Sequence, residues 1–101
     1  MLYAIWIEDV ADSLPRRLKV REAHLNRLRG FVTEGTVKMA GPFPKVAGED
    51  PTKTGFAGGL IVADFDSAEA AEQWLKEDPY YAEGVFKNYW IQPYLKVLPA
   101  D

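Results

Sequence analysis

With 101 residues, 48% hydrophobic and 27% charged, the chain has the make-up of one globular domain, residues 1–101, and too little length for two. It has no cysteine and one histidine, which excludes disulfides, thiol chemistry, zinc–cysteine sites and any multi-histidine metal site built from one chain. Twelve basic against fifteen acidic residues leave a net charge of −3, so no nucleic-acid partner is expected; Glu22 interrupts the basic run from Arg16 to Arg29, which reads as a solvated helix face.

No apolar run approaches the roughly 20 residues needed to span a bilayer, so no membrane partner is expected either. The N-terminal stretch lacks a basic start and soon meets Glu8 and Asp9, unlike a signal peptide. A cytoplasmic protein is the expectation.

Leu2 to Ile7 is apolar on both alternate faces and predicts a central strand. Asp12 or Ser13 then caps a helix, with Pro15 tolerated in its first turn. That helix is expected from Leu14 to Glu34, with Leu14, Leu18, Leu25, Leu28 and Val32 as its buried stripe, and Gly35 as its stop. Gly30, unfavourable inside a helix, suggests close packing there. Thr36 to Ala40 is a short strand closed by Gly41-Pro42. A polar loop runs from Pro42 to Gly55, long for so small a domain. Phe56 to Phe65 is the next strand, opened by Gly58-Gly59. Asp66 and Glu69 have the spacing of a capping box for a helix from Ser67 to Glu77, buried through Ala68, Ala71, Trp74 and Leu75. Asp78-Pro79 breaks it, and one helical turn follows before Gly84. Val85 to Val97 is a final strand in which Pro93 demands an edge or a bulge.

The order is β-α-β-β-α-β. Right-handed crossovers make this an α+β, ferredoxin-like fold: a four-stranded antiparallel sheet with two helices on one face. Three strands are apolar on both faces, so the uncovered face would be a large apolar patch. A homodimer packed sheet on sheet through that open face, or a cavity-forming variant of it, is expected.

The motifs Arg21-x-x-His24-Leu25, Ala40-Gly41-Pro42, Gly55-Phe56, Asp78-Pro79-Tyr80 and Pro93-Tyr94-x-Lys96-Val97, in this order, give the chain a resemblance to the YCII-related family across nearly its whole length. The resemblance implies a dimeric α+β barrel and a His–Asp active site. It does not imply one reaction: one branch looks like a lyase that removes halide from chlorinated hydroxyquinols, and more distant barrel relatives include lactone isomerases and small monooxygenases. The chain departs from the pattern at Gly59, where many relatives carry a hydroxyl residue.

His24 is the one side chain whose ordinary titration lies near neutrality, and it falls at the edge of the helical stripe. That place suits a group meeting both ligand and solvent; the alternative is a boundary histidine satisfied by a backbone carbonyl. Asp78 is the candidate to orient its ring, with His24 and Asp78 as the catalytic pair. Asp before Pro is also a good N-cap, and Asp78 can serve as that alone. Arg21 shares a side of the helix with His24 and suits an anionic substrate group; an ion pair with Glu34 or another carboxylate is the plainer reading. Gly41 and Pro42 would shape a pocket wall. Tyr80, Trp6, Phe43 and Trp90 are candidates for an aromatic ligand site, or else core and dimer interface.

Asp9, Asp50 and Asp64 lack metal-ligand spacing, and Gly55 to Gly59 lacks the lysine and helix of a phosphate loop. No metal or cofactor is expected. The reading is a small-molecule enzyme of lyase or isomerase type acting on a small anionic or phenolic ring. The alternatives are a non-catalytic ligand-binding or accessory dimer and, behind it, a haem-binding relative with His24 as axial ligand.

Overall fold

In the first strand, side chains alternate between buried and more exposed positions, and that alternation organises the rest of the molecule. The structure, a computed structural model, describes residues 1–100. Its elements are β1 (Leu2–Asp9), α1 (Leu14–Glu34), β2 (Val37–Pro44), α2 (Pro51–Thr54), β3 (Phe56–Asp64), α3 (Ala68–Lys76), α4 (Pro79–Ala82) and β4 (Phe86–Pro93). The strands form one sheet in the order β2-β3-β1-β4, with every neighbouring pair antiparallel. This is the expected ferredoxin-like arrangement.

Residues directly opposite one another in an antiparallel pair share a face. Ile5 therefore sits between Ile61 and Ile91 on one side, and Trp6 sits between Leu60 and Trp90 on the other. Leu28 of α1 and Ala71, Trp74 and Leu75 of α3 join Tyr3, Ile5, Ile7, Ile61 and Ala63 in a single core cluster. Both long helices thus cover the Ile5 side. The Trp6 side is open, and Trp6, Trp90 and Met39 are 53%, 49% and 58% exposed there.

Several local expectations change. Val20 leaves helical geometry (φ −121°, ψ 16°) and kinks α1. Leu28 is buried, Leu14 and Leu25 are half-buried, and Leu18 and Val32 are exposed; Arg17, which shares its side of the helix with His24 and Leu28, is buried instead. Ser13 stands at the N-cap of α1, but its hydroxyl donates to Asp9 rather than capping. Gly35 ends the helix as expected, with φ 85° and its N–H returned to the Val32 carbonyl. A Cβ on Gly30 would meet nothing within 4 Å, so close packing is not its reason.

β2 runs through Gly41-Pro42 to Pro44, because an edge strand leaves one side free of ladder bonds and so tolerates proline. Ser67, not Asp66, caps α3: its hydroxyl accepts from the Ala70 N–H at 3.1 Å. β4 ends at Pro93 instead of Val97. Among the described residues its only neighbour is β1, and the Tyr94 N–H donates to the Leu2 carbonyl at 2.9 Å, after which β1 has no length left to pair. A Cβ on Gly58 would sit inside the Ile7 carbonyl, so β1 and β3 approach closely there only through glycine.

Candidate active site

Asp78 owes its position to the start of α4. Its backbone is extended (φ −75°, ψ 139°), Pro79 follows, and its Oδ1 accepts the Tyr80 N–H at 2.9 Å. The cap expected from Asp-Pro is therefore present. The same Oδ1 lies 2.8 Å from Nδ1 of His24 on α1, 54 residues earlier in the chain. Asp78 serves both purposes.

The carboxylate is 1% exposed and the imidazole 12%. An ionised carboxylate can only accept, so Nδ1 is the donor, and in the neutral ring this leaves Nε2 with its lone pair. The Tyr80 ring stacks on the imidazole, with centroids 3.7 Å apart and planes 9° from parallel. Burial holds the Tyr80 phenol above its ordinary value, and the nearby Arg17 and Arg21 offset part of that.

His24 opens onto a pocket of about 150 Å³ between α1 and the sheet. Arg21, Gly41, Pro42 and Tyr80, the expected binding residues, all line it. Ile7, Leu25, Leu28, Phe56 and Ile61 give it an apolar wall, and Gly59 lines it without a hydroxyl. The volume is close to the roughly 150 Å³ of an engineered cavity that admits benzene, so one ring fits. Arg21 is exposed, acts electrostatically on Asp50 and Tyr80, and makes no ion pair with Glu34. Trp6, Phe43 and Trp90 do not reach the pocket. The strand register puts them on the open face, where Trp6 and Phe43 pack with centroids 4.6 Å apart.

Two further cations belong to the neighbourhood and were not singled out by sequence. Arg17 pairs through two nitrogens with Asp9, Nε to Oδ2 at 2.7 Å and Nη2 to Oδ1 at 3.1 Å, and lies over the rings of Phe56 and Tyr80. Arg27 donates to Asp78 Oδ2 at 3.2 Å. The steps of seven and three linking Arg17, His24 and Arg27 keep them on one side of a helix, and that spacing was the available signal.

No helix among the described residues is long and apolar enough to cross a membrane. Residues 1–94 match the family described as YCII-related domain. Protein YciI of Escherichia coli is 47% identical over 97 residues, 96% of this chain and 99% of that one. A protein of Haemophilus influenzae is 38% identical over the same lengths. Among solved structures, 5-chloro-2-hydroxyhydroquinone dehydrochlorinase (TftG) from Burkholderia phenoliruptrix, in complex with 2,5-dihydroxybenzoquinone, superposes with a TM-score of 0.83 at 21% identity, covering 94% of each chain. That likeness is one of fold, the dimeric α+β barrel fold. By the family match and the near full-length identity to YciI, the chain belongs to the YCII-related family.

Proposed function

We propose that the protein is a small-molecule enzyme in which His24 is the general acid/base and Asp78 orients it. The observation that carries this is the 2.8 Å contact between His24 Nδ1 and a nearly inaccessible Asp78, at the wall of a pocket sized for one ring. Asp78 fixes the tautomer and stabilises the imidazolium formed when Nε2 takes a proton. Arg21 at the rim faces an anionic oxygen of the substrate, while Gly41, Pro42 and Tyr80 confine the ring. Substrates are small phenolic or otherwise anionic ring compounds. TftG, whose structure holds a hydroxylated one-ring quinone, is consistent with that class. A lyase or isomerase step moves only protons and a leaving group, so it needs no cofactor.

The test is turnover on a panel of one-ring phenolic and lactone acids. His24→Gln and Asp78→Asn should each lower kcat by about 10²–10⁴-fold with ligand affinity largely kept. Binding without turnover by the native protein, altered only in affinity by Asp78→Asn, would instead make this a non-catalytic ligand-binding protein.

The open sheet face completes the proposal. Trp6, Met39 and Trp90 form an apolar patch of a kind that soluble monomers rarely expose, and two copies packed face to face would cover it. Sedimentation velocity at micromolar concentration should show a dimer that Trp6→Glu converts to monomer. A native monomer under those conditions sinks the idea.

A further inference from the structure

Arg27 lies one turn after His24 on α1 and reaches the segment that carries Asp78. Its Nη2 donates to the Trp74 carbonyl at 2.7 Å, and its Nη1 donates to Asp78 Oδ2 at 3.2 Å. That carbonyl belongs to the last turn of α3, where it also accepts the Glu77 N–H at 3.3 Å. The guanidinium rests against the rings of Trp74 and Phe31, 4.7 Å and 5.2 Å from their centroids. One side chain thus joins α1, the end of α3 and the cap of α4. It occupies the one carboxylate oxygen that His24 and the Tyr80 N–H leave open.

We infer that Arg27 is the positioning residue of the His24–Asp78 pair: it holds the carboxylate toward the imidazole and shares its charge, which leaves the ring neutral and able to take a proton. This rests on the reading of His24 as the acid/base group of the pocket. The groups facing His24 make the role specific. Asp78 caps α4 and Tyr80 lies within it, Arg17, Arg21 and Arg27 come from its own helix, and Glu77 at the end of α3 lies 3.9 Å from Arg27. The sheet presents Ile7, Gly59 and Ile61 to the pocket, none of them charged. Without Arg27, the buried carboxylate has a single cation left within hydrogen-bonding reach, the imidazolium itself. The ring would then stay protonated to higher pH and be lost as a base.

The chain's one histidine makes the test direct. His24 ring protons are followed by NMR against pH in the full-length native protein, Arg27→Gln and Arg27→Lys. Arg27→Gln should raise the midpoint by about one pH unit, and Arg27→Lys, which keeps the charge, should restore most of the native value. Should Arg27→Gln fail to fold, Arg27→Met keeps the stem packed on Trp74 and Phe31 and serves in its place. A midpoint that is unmoved or lowered in a natively folded neutral variant overturns the inference. Because the midpoint is read without substrate, a rise in a protein with no turnover removes the enzymatic reading alone, whereas turnover with an unmoved midpoint removes only the role of Arg27.

Discussion

Helix α1 meets two buried carboxylates, and it treats them differently. At Asp9 both oxygens are held by fixed donors: Arg17 binds both and Ser13 adds a hydroxyl at 2.6 Å. Arg17 spends its remaining reach on the Gly58 carbonyl at 3.1 Å. This centre is closed, with side chains 1% and 8% exposed, and it locks the end of β1 to the start of α1 and to β3. At Asp78 the arginine takes one oxygen only, and the other is left for a backbone N–H and an imidazole. The same chemistry therefore builds a rivet in one place and leaves a proton-carrying ring at a pocket in the other. The difference lies in which donors hold the carboxylate, not in how deeply the acid is buried.

That contrast predicts unequal costs. Asp9→Asn puts amide donors against Arg17 and Ser13 and leaves a buried guanidinium without its charge partner; the expected loss is about 3–5 kcal/mol. Asp78→Asn keeps the helix cap, because Asn caps as well as Asp, and Arg27 is more exposed, at 17%, and retains the Trp74 carbonyl. There the expected loss is about 1–2 kcal/mol. Urea unfolding of both variants at one protein concentration makes the comparison, since any self-association would make stability depend on concentration. Equal losses would mean the two centres are of one kind and the contrast is wrong.

The two centres were not equally legible in the sequence. The β-α-β-β-α-β order followed from apolar patterning and from local signals such as Gly35 and Asp78-Pro79, which act within a few residues of themselves. His24 and Asp78 were recognisable as types, through the lone imidazole and the Asp-Pro-Tyr motif, but their contact joins residues 54 apart and depends on how α1 crosses α4. Arg17 was hidden more thoroughly. Its spacing to His24 and Leu28 puts it on the inward side of the helix, but a charged side chain there reads as solvated until its partner Asp9 on β1 is known. The end of β4 was equally out of reach, because it is set by where β1 begins. Local rules report what a segment prefers; they are silent when a partner on another element sets the burial or the length.

Tyr80 touches both centres and gives the smallest and most delicate comparison. Its ring stacks on His24, and the Arg17 guanidinium lies 4.9 Å from its centroid. Burial and the Asp78 charge push its phenol up, while Arg17 and Arg21 pull it down, and burial is the largest of these influences. The phenol is thus raised in the folded protein above the value of about 10 it has in an unfolded chain. The unfolded state then releases its proton first as pH climbs. Stability from this group is complete below about pH 10 and is lost as pH rises through the folded value. Tyr89 behaves similarly for another reason: its hydroxyl donates to Glu72 at 2.7 Å, and that bond holds it up at about 12. Unfolding free energy measured across the alkaline range should therefore fall with pH, and Tyr80→Phe should make the fall shallower without removing the part that belongs to Tyr89. An unchanged slope in Tyr80→Phe would mean that Arg17 and Arg21 fully cancel burial at this ring, and that the closed centre reaches further toward the pocket than its own hydrogen bonds show.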